Sequence, residues 1–376
     1  MMRIIKAADI PASFYEYREI AESDTVRAII DDVKRRGDEA VRFYTETFDL
    51  VKLSDLRVPE SELEKGLAEI TPELKKALEL AAGNIRRFAE AQRKGLTDMS
   101  IETMPGVIAG QRVIPVERAG IYAPGGRFPL PSSVLMGVIP ALAAGVKEVA
   151  LFTPPRKDGT ILPAIRAAAL IAGCREVYRV GGVQAVAAMA YGTATIRPVQ
   201  VIAGPGNRFV AAAKKQVYGA VGIDFIAGPS EVLIIADDSA DPRVVAADLL
   251  AQAEHDPDAS AILLTTSGKL AQAVAAEVER QLALLPTAGT ARPSIEDNGL
   301  IVLCDSLDDA VTVANKKAPE HLELDIRDAE KLVPRLTNYG ALFIGARSAE
   351  ALGDYAAGPN HTLPTGGAAR YTGGLS

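Results

Sequence analysis

The chain has 376 residues, 48% of them hydrophobic and 24% charged, so a folded chain divided into two or three domains is expected. Its formal net charge of −7 argues against nucleic-acid binding, which needs clustered Lys and Arg to neutralise phosphates. The only two cysteines, Cys174 and Cys304, sit in or beside apolar runs, which excludes a disulfide framework and reads as reduced, buried thiols.

The opening run MMRIIKAADIPASFYEY has no apolar signal-peptide core, and no later stretch reaches membrane-spanning length without charge or Gly/Pro breaks. A cytosolic (cytoplasmic) protein is the expectation. The first hundred residues read as helical. Val26, Ile29, Ile30 and Val33 recur at helical spacing between Ser23, a plausible cap, and Gly37, a stop. Val41, Tyr44 and Phe48 continue on a second helix, and Thr71-Pro72-Glu73 opens a third with Pro at the first helical position. This segment reads as packing on another part of the chain and not as a site.

From about Arg112 short apolar strands alternate with Ala-rich helices. ALAAGVKEVALF (Ala141–Phe152) and LIAGCREVYRV (Leu170–Val180) echo each other: helix end, Gly stop, basic residue, then a strand. That is the rhythm of successive βα units and a parallel sheet. Val199–Gly204 then runs as a strand into Gly204-Pro205-Gly206-Asn207 and another helix. A second series follows in Glu231–Asp237, Ala261–Thr266, Gly299–Cys304 and Ala341–Gly345, while Leu285–Asn298, rich in Pro, Thr and Gly, reads as a loop. The fold class expected is α/β, with two tandem Rossmann-like modules, parallel-type sheets and an N-terminal helical segment. The domains expected are 1–111, helical and packed on the second module; 112–228, the first module; and 229–376, the second, with a boundary near Gly222–Pro229.

Three histidines occur, His255, His321 and His361, each at a segment end beside acidic or polar neighbours. A lone histidine is more often structural than catalytic. Three scarce residues at the exits of α/β elements strengthen the catalytic reading, because sites in such folds gather there. The helix Pro242–His255 ends with Gln252 and His255 at i and i+3, on one face, whereas Glu254 points elsewhere. An amide oxygen beside an imidazole suits zinc, although Gln is not a usual zinc ligand and a polar helix terminus is the commoner meaning.

In Ala318-Pro319-Glu320-His321 the proline forces a turn, so Glu320 and His321 are expected to open an exposed element. A carboxylate beside an imidazole suits proton abstraction from an alcohol and activation of water; a polar turn is the plainer alternative. In Gly353–His361 a Gly-rich loop follows Asp354, a hard anionic group that would complete a ligand set with Gln252 and His255. No G-x-G-x-x-G fingerprint is present. Its substitutes are Gly125-Gly126, Gly181-Gly182 and Gly204-Pro205-Gly206-Asn207; the last two lie between strand and helix, where backbone N–H groups receive a diphosphate or simply make a tight turn. Cys304 has no adjoining base to activate it and is read as core, not as a nucleophile.

Taken in order, the blocks ERAGIYAPGGRFPLPSSVLMGVIPALAAGV, RVGGVQAVAAMAYGT, AGPGNRFVAAAKKQV, IDFIAGPSEVLIIADDSADPRVVAADLLAQAEHDP, APEHLEL and GDYAAGPNHTLPTGGAARYTGGLS resemble the histidinol dehydrogenase family. The resemblance runs from about residue 20 to the end, and the block from Ile223 to His255 is highly specific. It implies zinc-dependent, NAD-linked oxidation of L-histidinol to L-histidine through L-histidinaldehyde, two successive hydride transfers that close histidine biosynthesis. It implies one zinc per subunit on Gln252, His255 and Asp354. Glu320 and His321 become the catalytic pair, with His321 the principal proton acceptor and Glu320 assisting water activation. Ser230 becomes a substrate contact together with Gln252, His255, His321 and Asp354. Tyr122, Gln184 and Asn207 become NAD contacts on an incomplete nucleotide-binding fold.

The resemblance also implies a homodimer. Family members continue past GLS into a helical tail that reaches the partner's site, supplying a fourth zinc ligand, a histidine, and a glutamate that touches substrate. The sequence stops at Ser376 with no fourth histidine. Either the sequence is a piece of a longer protein, or zinc is held by three protein ligands plus water or substrate, more weakly, in a weakened homodimer. Two other readings remain: a same-family dehydrogenase of another polar alcohol, such as a sulfonated diol, and a catalytically silent α/β protein binding nucleotide or a partner chain. Substrate choice separates the first, and metal content the second.

Overall fold

The computed structural model describes residues 2–16, 23–125, 130–226 and 228–376. The chain divides into two units. One comprises Ile20–Ile226, Tyr355–Thr362 and Leu375–Ser376; the other comprises Met1–Glu19, Ala227–Asp354 and Leu363–Gly374. Strand β1 (Arg3–Lys6) belongs to the second of these.

The first unit opens with helices α1 (Asp24–Arg36), α2 (Asp38–Asp49), α3 (Glu60–Glu69) and α4 (Pro72–Lys94). The Ser23 hydroxyl caps α1 through the Val26 N–H, and Val26, Ile29, Ile30 and Val33 are all buried, as their spacing requires. Thr71 caps α4 through the Leu74 N–H. On α2 the apolar stripe stops short: Val41 is buried but Phe48 is exposed. The segment expected to be wholly helical ends in a hairpin of β2 (Met99–Met104) and β3 (Val107–Gln111), exposed along its whole length.

Then β4 (Arg118–Tyr122), α5 (Pro131–Ala143), β5 (Glu148–Phe152), α6 (Pro163–Ala172), β6 (Glu176–Tyr178), α7 (Gly182–Tyr191), β7 (Val201–Ala203), α8 (Arg208–Val217) and β8 (Gly222–Ile223) build a parallel sheet of order β6-β5-β4-β7-β8. The expected packing of the N-terminal helices on the second module is corrected. Helix α1 packs on α7 and α8, α3 on α6, and α4 on α5. The reason lies in the crossover helices: α5 is buried through nine consecutive residues and α7 through eight, so each needs a second layer over its outer face. The α1 stripe provides it over α7, each buried Val or Ile contributing about 1.5–3 kcal/mol, and α4 provides it over α5.

The second unit joins β1 to β9 (Glu231–Ala236), α9 (Pro242–Ala253), β10 (Ser260–Thr265), α10 (Gly268–Leu282), α11 (Ala288–Asn298), β11 (Leu300–Leu303), α12 (Leu307–Lys317), β12 (His321–Asp325), β13 (Ala341–Ile344) and α13 (Glu350–Tyr355, whose last residue falls in the first unit). Its strands are all parallel, in the order β1-β11-β10-β9-β12-β13. The expected loop at Leu285–Asn298 is largely helix α11. Pro293 removes one helical hydrogen bond, but Ala291, Ser294 and Ile295 are buried at helical spacing and that packing prevails. Among the described residues no helix is long and apolar enough to cross a membrane.

Candidate active site

In the six-stranded sheet the strand order runs outward from β9 through β10 and β11, then returns to β12 on the other flank of β9. At such a reversal ligands usually lie beyond the carboxyl ends of the strands. Here the candidate side chains collect at the amino ends. Ser230 and Glu231 stand at the start of β9, and Glu320 and His321 at the start of β12, His321 in register with Val232. Helix α9 follows β9 and returns along the sheet, so its last turn brings Gln252, with His255 just beyond it, to the same edge. His255 thus leaves a helix as expected, whereas His321 enters a strand.

The expectation that Glu320 and His321 are exposed is also corrected. They are only 6% and 3% exposed, because β12 is an interior strand between β9 and β13. One oxygen of Glu320 accepts the backbone N–H of Glu231 at 2.9 Å and lies 3.8 Å from His321 Nδ1. His321 Nδ1 is 3.1 Å from the Glu231 carbonyl oxygen, 2.9 Å from the Gln252 amide and 3.5 Å from a Glu350 oxygen. The other end of the Gln252 amide is 3.1 Å from His255 Nδ1. Turned so that its nitrogen faces His321, the amide donates to the Glu231 carbonyl and the Glu350 carboxylate, both at 3.2 Å, and its oxygen accepts the His255 Nδ1 proton. That arrangement leaves the lone pair of His255 Nε2 directed to the side where Asp354 Oδ2 stands 3.9 Å away.

The electrostatics favour protonated carboxyls. Burial pushes Glu320 well above the usual carboxylate range; the Glu231 N–H opposes it, and the carboxylates of Glu231 and Asp354 add to it. Glu350 is raised well above that range by burial and then by Asp354, Glu323, Glu320 and Asp248. Glu323, on the same face of β12 as His321, is pushed up to about 8 by burial and by Asp248. Asp354 is raised by burial and lowered by His255. Glu350, which also donates its backbone N–H to Glu323 at 2.7 Å, went unnoticed in the sequence. The signal that would have found it is its i, i+4 spacing from Asp354, which sets two carboxylates on one face of α13.

Among the described residues no three His, Cys, Asp or Glu side chains gather as a metal-binding group. What meets instead is an amide, an imidazole and a carboxylate, a mixed N/O donor set that suits zinc. The gap of 3.9 Å between His255 Nε2 and Asp354 Oδ2 is about half an ångström wider than the roughly 3.4 Å between two ligands of a tetrahedral ion with bonds of about 2.0–2.2 Å. A small closure would let both reach one ion. Gln252 fits less directly, since its amide is engaged by the two imidazoles and must turn to become a ligand.

The remaining candidates belong to the five-stranded unit. Its own strand order reverses between β4 and β7, and Tyr122 ends β4 while Asn207 follows β7. The Tyr122 hydroxyl accepts the Gly182 N–H at 3.1 Å, at the start of α7, and burial pushes the phenol up to about 12. Gln184, two residues on, is 1% exposed, and its Oε1 has no hydrogen-bond partner among the described residues. Asn207 caps α8, its Oδ1 accepting the N–H groups of Phe209 and Val210. A Cβ on Gly125 or Gly181 would come within 2.4 or 2.5 Å of Pro154, so both positions need glycine to pack against that ring; Gly126 lies outside the described residues. The orphaned amide oxygen of Gln184, at the strand-order reversal, fits a dinucleotide there. His361 also belongs to this unit, beside Asn360, whose amide donates to the Met136 carbonyl. Cys304 is buried, and burial raises its thiol to about 11, in keeping with a core role.

A family model described as histidinol dehydrogenase matches residues 16–376. The histidinol dehydrogenase of Geobacillus kaustophilus is 51% identical over 353 residues, spanning 93% of this chain and 83% of that protein. That of Synechococcus sp. is 52% identical over 356 residues, spanning 94% and 81%. The crystal structure of histidinol dehydrogenase from Elizabethkingia anophelis matches with a TM-score of 0.94 at 41% identity, covering 100% of this chain and 87% of that one. The chain therefore belongs to the histidinol dehydrogenase family, a family of oxidoreductases.

Proposed function

We propose that this chain oxidises L-histidinol to L-histidine through L-histidinaldehyde, with NAD as hydride acceptor and a zinc held by Gln252, His255 and Asp354. The observation that supports this most is the meeting of Glu320 and His321 with those three side chains at one edge of one sheet. When bound, NAD takes up hydride, and zinc fixes and polarises the polar groups of the substrate.

The chain's own residues manage protons. With Gln252 recruited as a ligand, the Glu231 carbonyl at 3.1 Å remains to hold a proton on His321 Nδ1, which leaves the Nε2 lone pair as base. His321 takes the hydroxyl proton as hydride leaves the carbon. Glu320, raised by burial, is a strong base once ionised and takes a proton from the water that adds to the aldehyde. A second loss of hydride and proton from the hydrate gives the carboxylate. Ser230, next to Glu231 at the mouth of β9, is a substrate contact, and Tyr122, Gln184 and Asn207 contact NAD.

The test is NADH formation from L-histidinol and NAD with added zinc, with the product identified. Two NADH per histidine is the expected result. Turnover of an anionic sulfonated diol but not of histidinol would move the substrate, and silence with both, together with failure to take up zinc, would sink the enzymatic reading.

A further inference from the structure

One buried ion pair lies apart from all the side chains so far assigned. Lys214 on α8 and Asp224 just after β8 form a contact ion pair, with side chains 3% and 0% exposed. Both also grip one residue. The Gly204 N–H donates to Asp224 Oδ2 at 2.8 Å, and Lys214 Nζ donates to the Gly204 carbonyl at 3.0 Å. The second Asp224 oxygen accepts the Phe225 N–H at 2.7 Å.

Gly204 is the residue where β7 ends and the turn into α8 begins. It sits at φ +123°, and a Cβ there would fall 2.1 Å from the Tyr122 carbonyl oxygen. At Gly206 a Cβ would fall 2.4 Å from Val210. Both positions therefore need glycine, with Pro205 between them, and the turn stands where the strand order reverses. An apolar pair of equal volume could fill the space between β7 and α8 without the hydration cost of two desolvated charges, but it would leave the Gly204 N–H and carbonyl without these partners. What the charged pair adds is a hold on both backbone polar groups of a single glycine.

We propose that Lys214 and Asp224 are positioning residues that clamp Gly204, so that the turn Gly204–Asn207 keeps the shape that receives the diphosphate of the dinucleotide. This rests on the cofactor reading given above. The pair touches no substrate; it acts through the turn, and loosening it weakens cofactor binding without altering the chemistry at His321.

The experiment compares NADH binding, by fluorescence, in the full-length wild type, in the double variant Lys214→Met/Asp224→Leu and in Asp224→Asn. Thermal melts and steady-state kinetics accompany it. The expected result is a lowered melting temperature in a variant that still folds, an NADH Kd raised tenfold or more, a KM for NAD raised in parallel and a kcat changed less than threefold. Should the double variant fail to fold, Asp224→Asn, which keeps an oxygen for the Gly204 N–H but drops the charge, is expected to show a smaller shift in the same direction. Folded variants that bind NADH as wild type does would overturn the clamp and leave the cofactor reading intact. A wild type that binds neither NADH nor NADPH would overturn the cofactor reading and the clamp with it.

Discussion

His255 and His321 are joined through one side chain, the Gln252 amide, which lies 3.1 Å from Nδ1 of the first and 2.9 Å from Nδ1 of the second. An amide has one donating and one accepting end, so the two imidazoles cannot both donate to it or both accept from it. If Gln252 gives its nitrogen to His321, His255 must carry its proton on Nδ1, which frees Nε2 as a ligand. If it gives its oxygen to His321, that ring keeps its proton on Nδ1 and Nε2 becomes the base. The proposed metal ligand and the proposed base are therefore linked through Gln252.

Replacing each histidine separates the two roles. His321→Ala is expected to lower kcat by about 10²–10⁴ while zinc per subunit stays near wild type. His255→Ala is expected to lose zinc. Metal analysis and kinetics on the same preparations check both, and exchanged losses would overturn the assignment.

Glu350 gives a sharper test of electrostatics. Its carboxyl is held neutral by burial and by neighbouring carboxylates, so Glu350→Gln keeps both shape and charge state and is expected to retain kcat within about threefold. Glu350→Ala removes the partner of Gln252 and leaves a void, at a cost of about 2–4 kcal/mol in unfolding free energy and a clear loss of kcat. Equal damage from both variants would show that Glu350 acts as an anion.

Glu323 predicts a pH dependence of stability. Its folded pKa, about 8, lies above its unfolded value, so the folded state binds more protons and stability falls as pH rises between the two values. Glu323→Gln removes that loss while keeping an acceptor for the Glu350 N–H. Denaturant titrations should show the variant about 1–3 kcal/mol more stable at pH 8 and nearly unchanged at pH 4. A constant difference across that range would overturn the explanation.

Gly204→Ala should be among the more damaging single methyl additions in the chain. The left-handed backbone costs about 1–3 kcal/mol, and the clash with the Tyr122 carbonyl adds to it. A thermal melt within a degree of wild type would show that β4 and β7 can part freely at that point.

The sequence made the α/β class legible because β9, β10 and β11 are unbroken apolar runs bounded by turn residues, as interior parallel strands must be. It hid β12, whose sequence HLELD carries its polar residues on a buried face and so looks like a surface strand. That same inversion concealed how deeply His321 sits. The helical spacing of Gln252 and His255 was readable from the chain, but their meeting with His321 and Asp354 depends on β9 and β12 being neighbours, a long-range pairing that local pattern does not encode. Helix α11 was lost to its proline, and the N-terminal helices were matched to the wrong partner because an apolar stripe does not name the surface that covers it.

The amino-edge location of the candidate catalytic side chains bears on which ligands the six-stranded unit attracts. Helices α9 and α12 both end at that edge, α9 just before His255 and α12 just before Glu320. Each presents the negative pole of its macrodipole, equivalent to about half an electron charge. A field of that sign draws cations, such as a metal ion and the ammonium group of an amino alcohol. At the reversal of the five-stranded sheet the neighbouring helices present their positive poles, the setting for phosphates. One architecture, used twice, thus offers opposite polarity to the cationic substrate and to the anionic electron carrier proposed above.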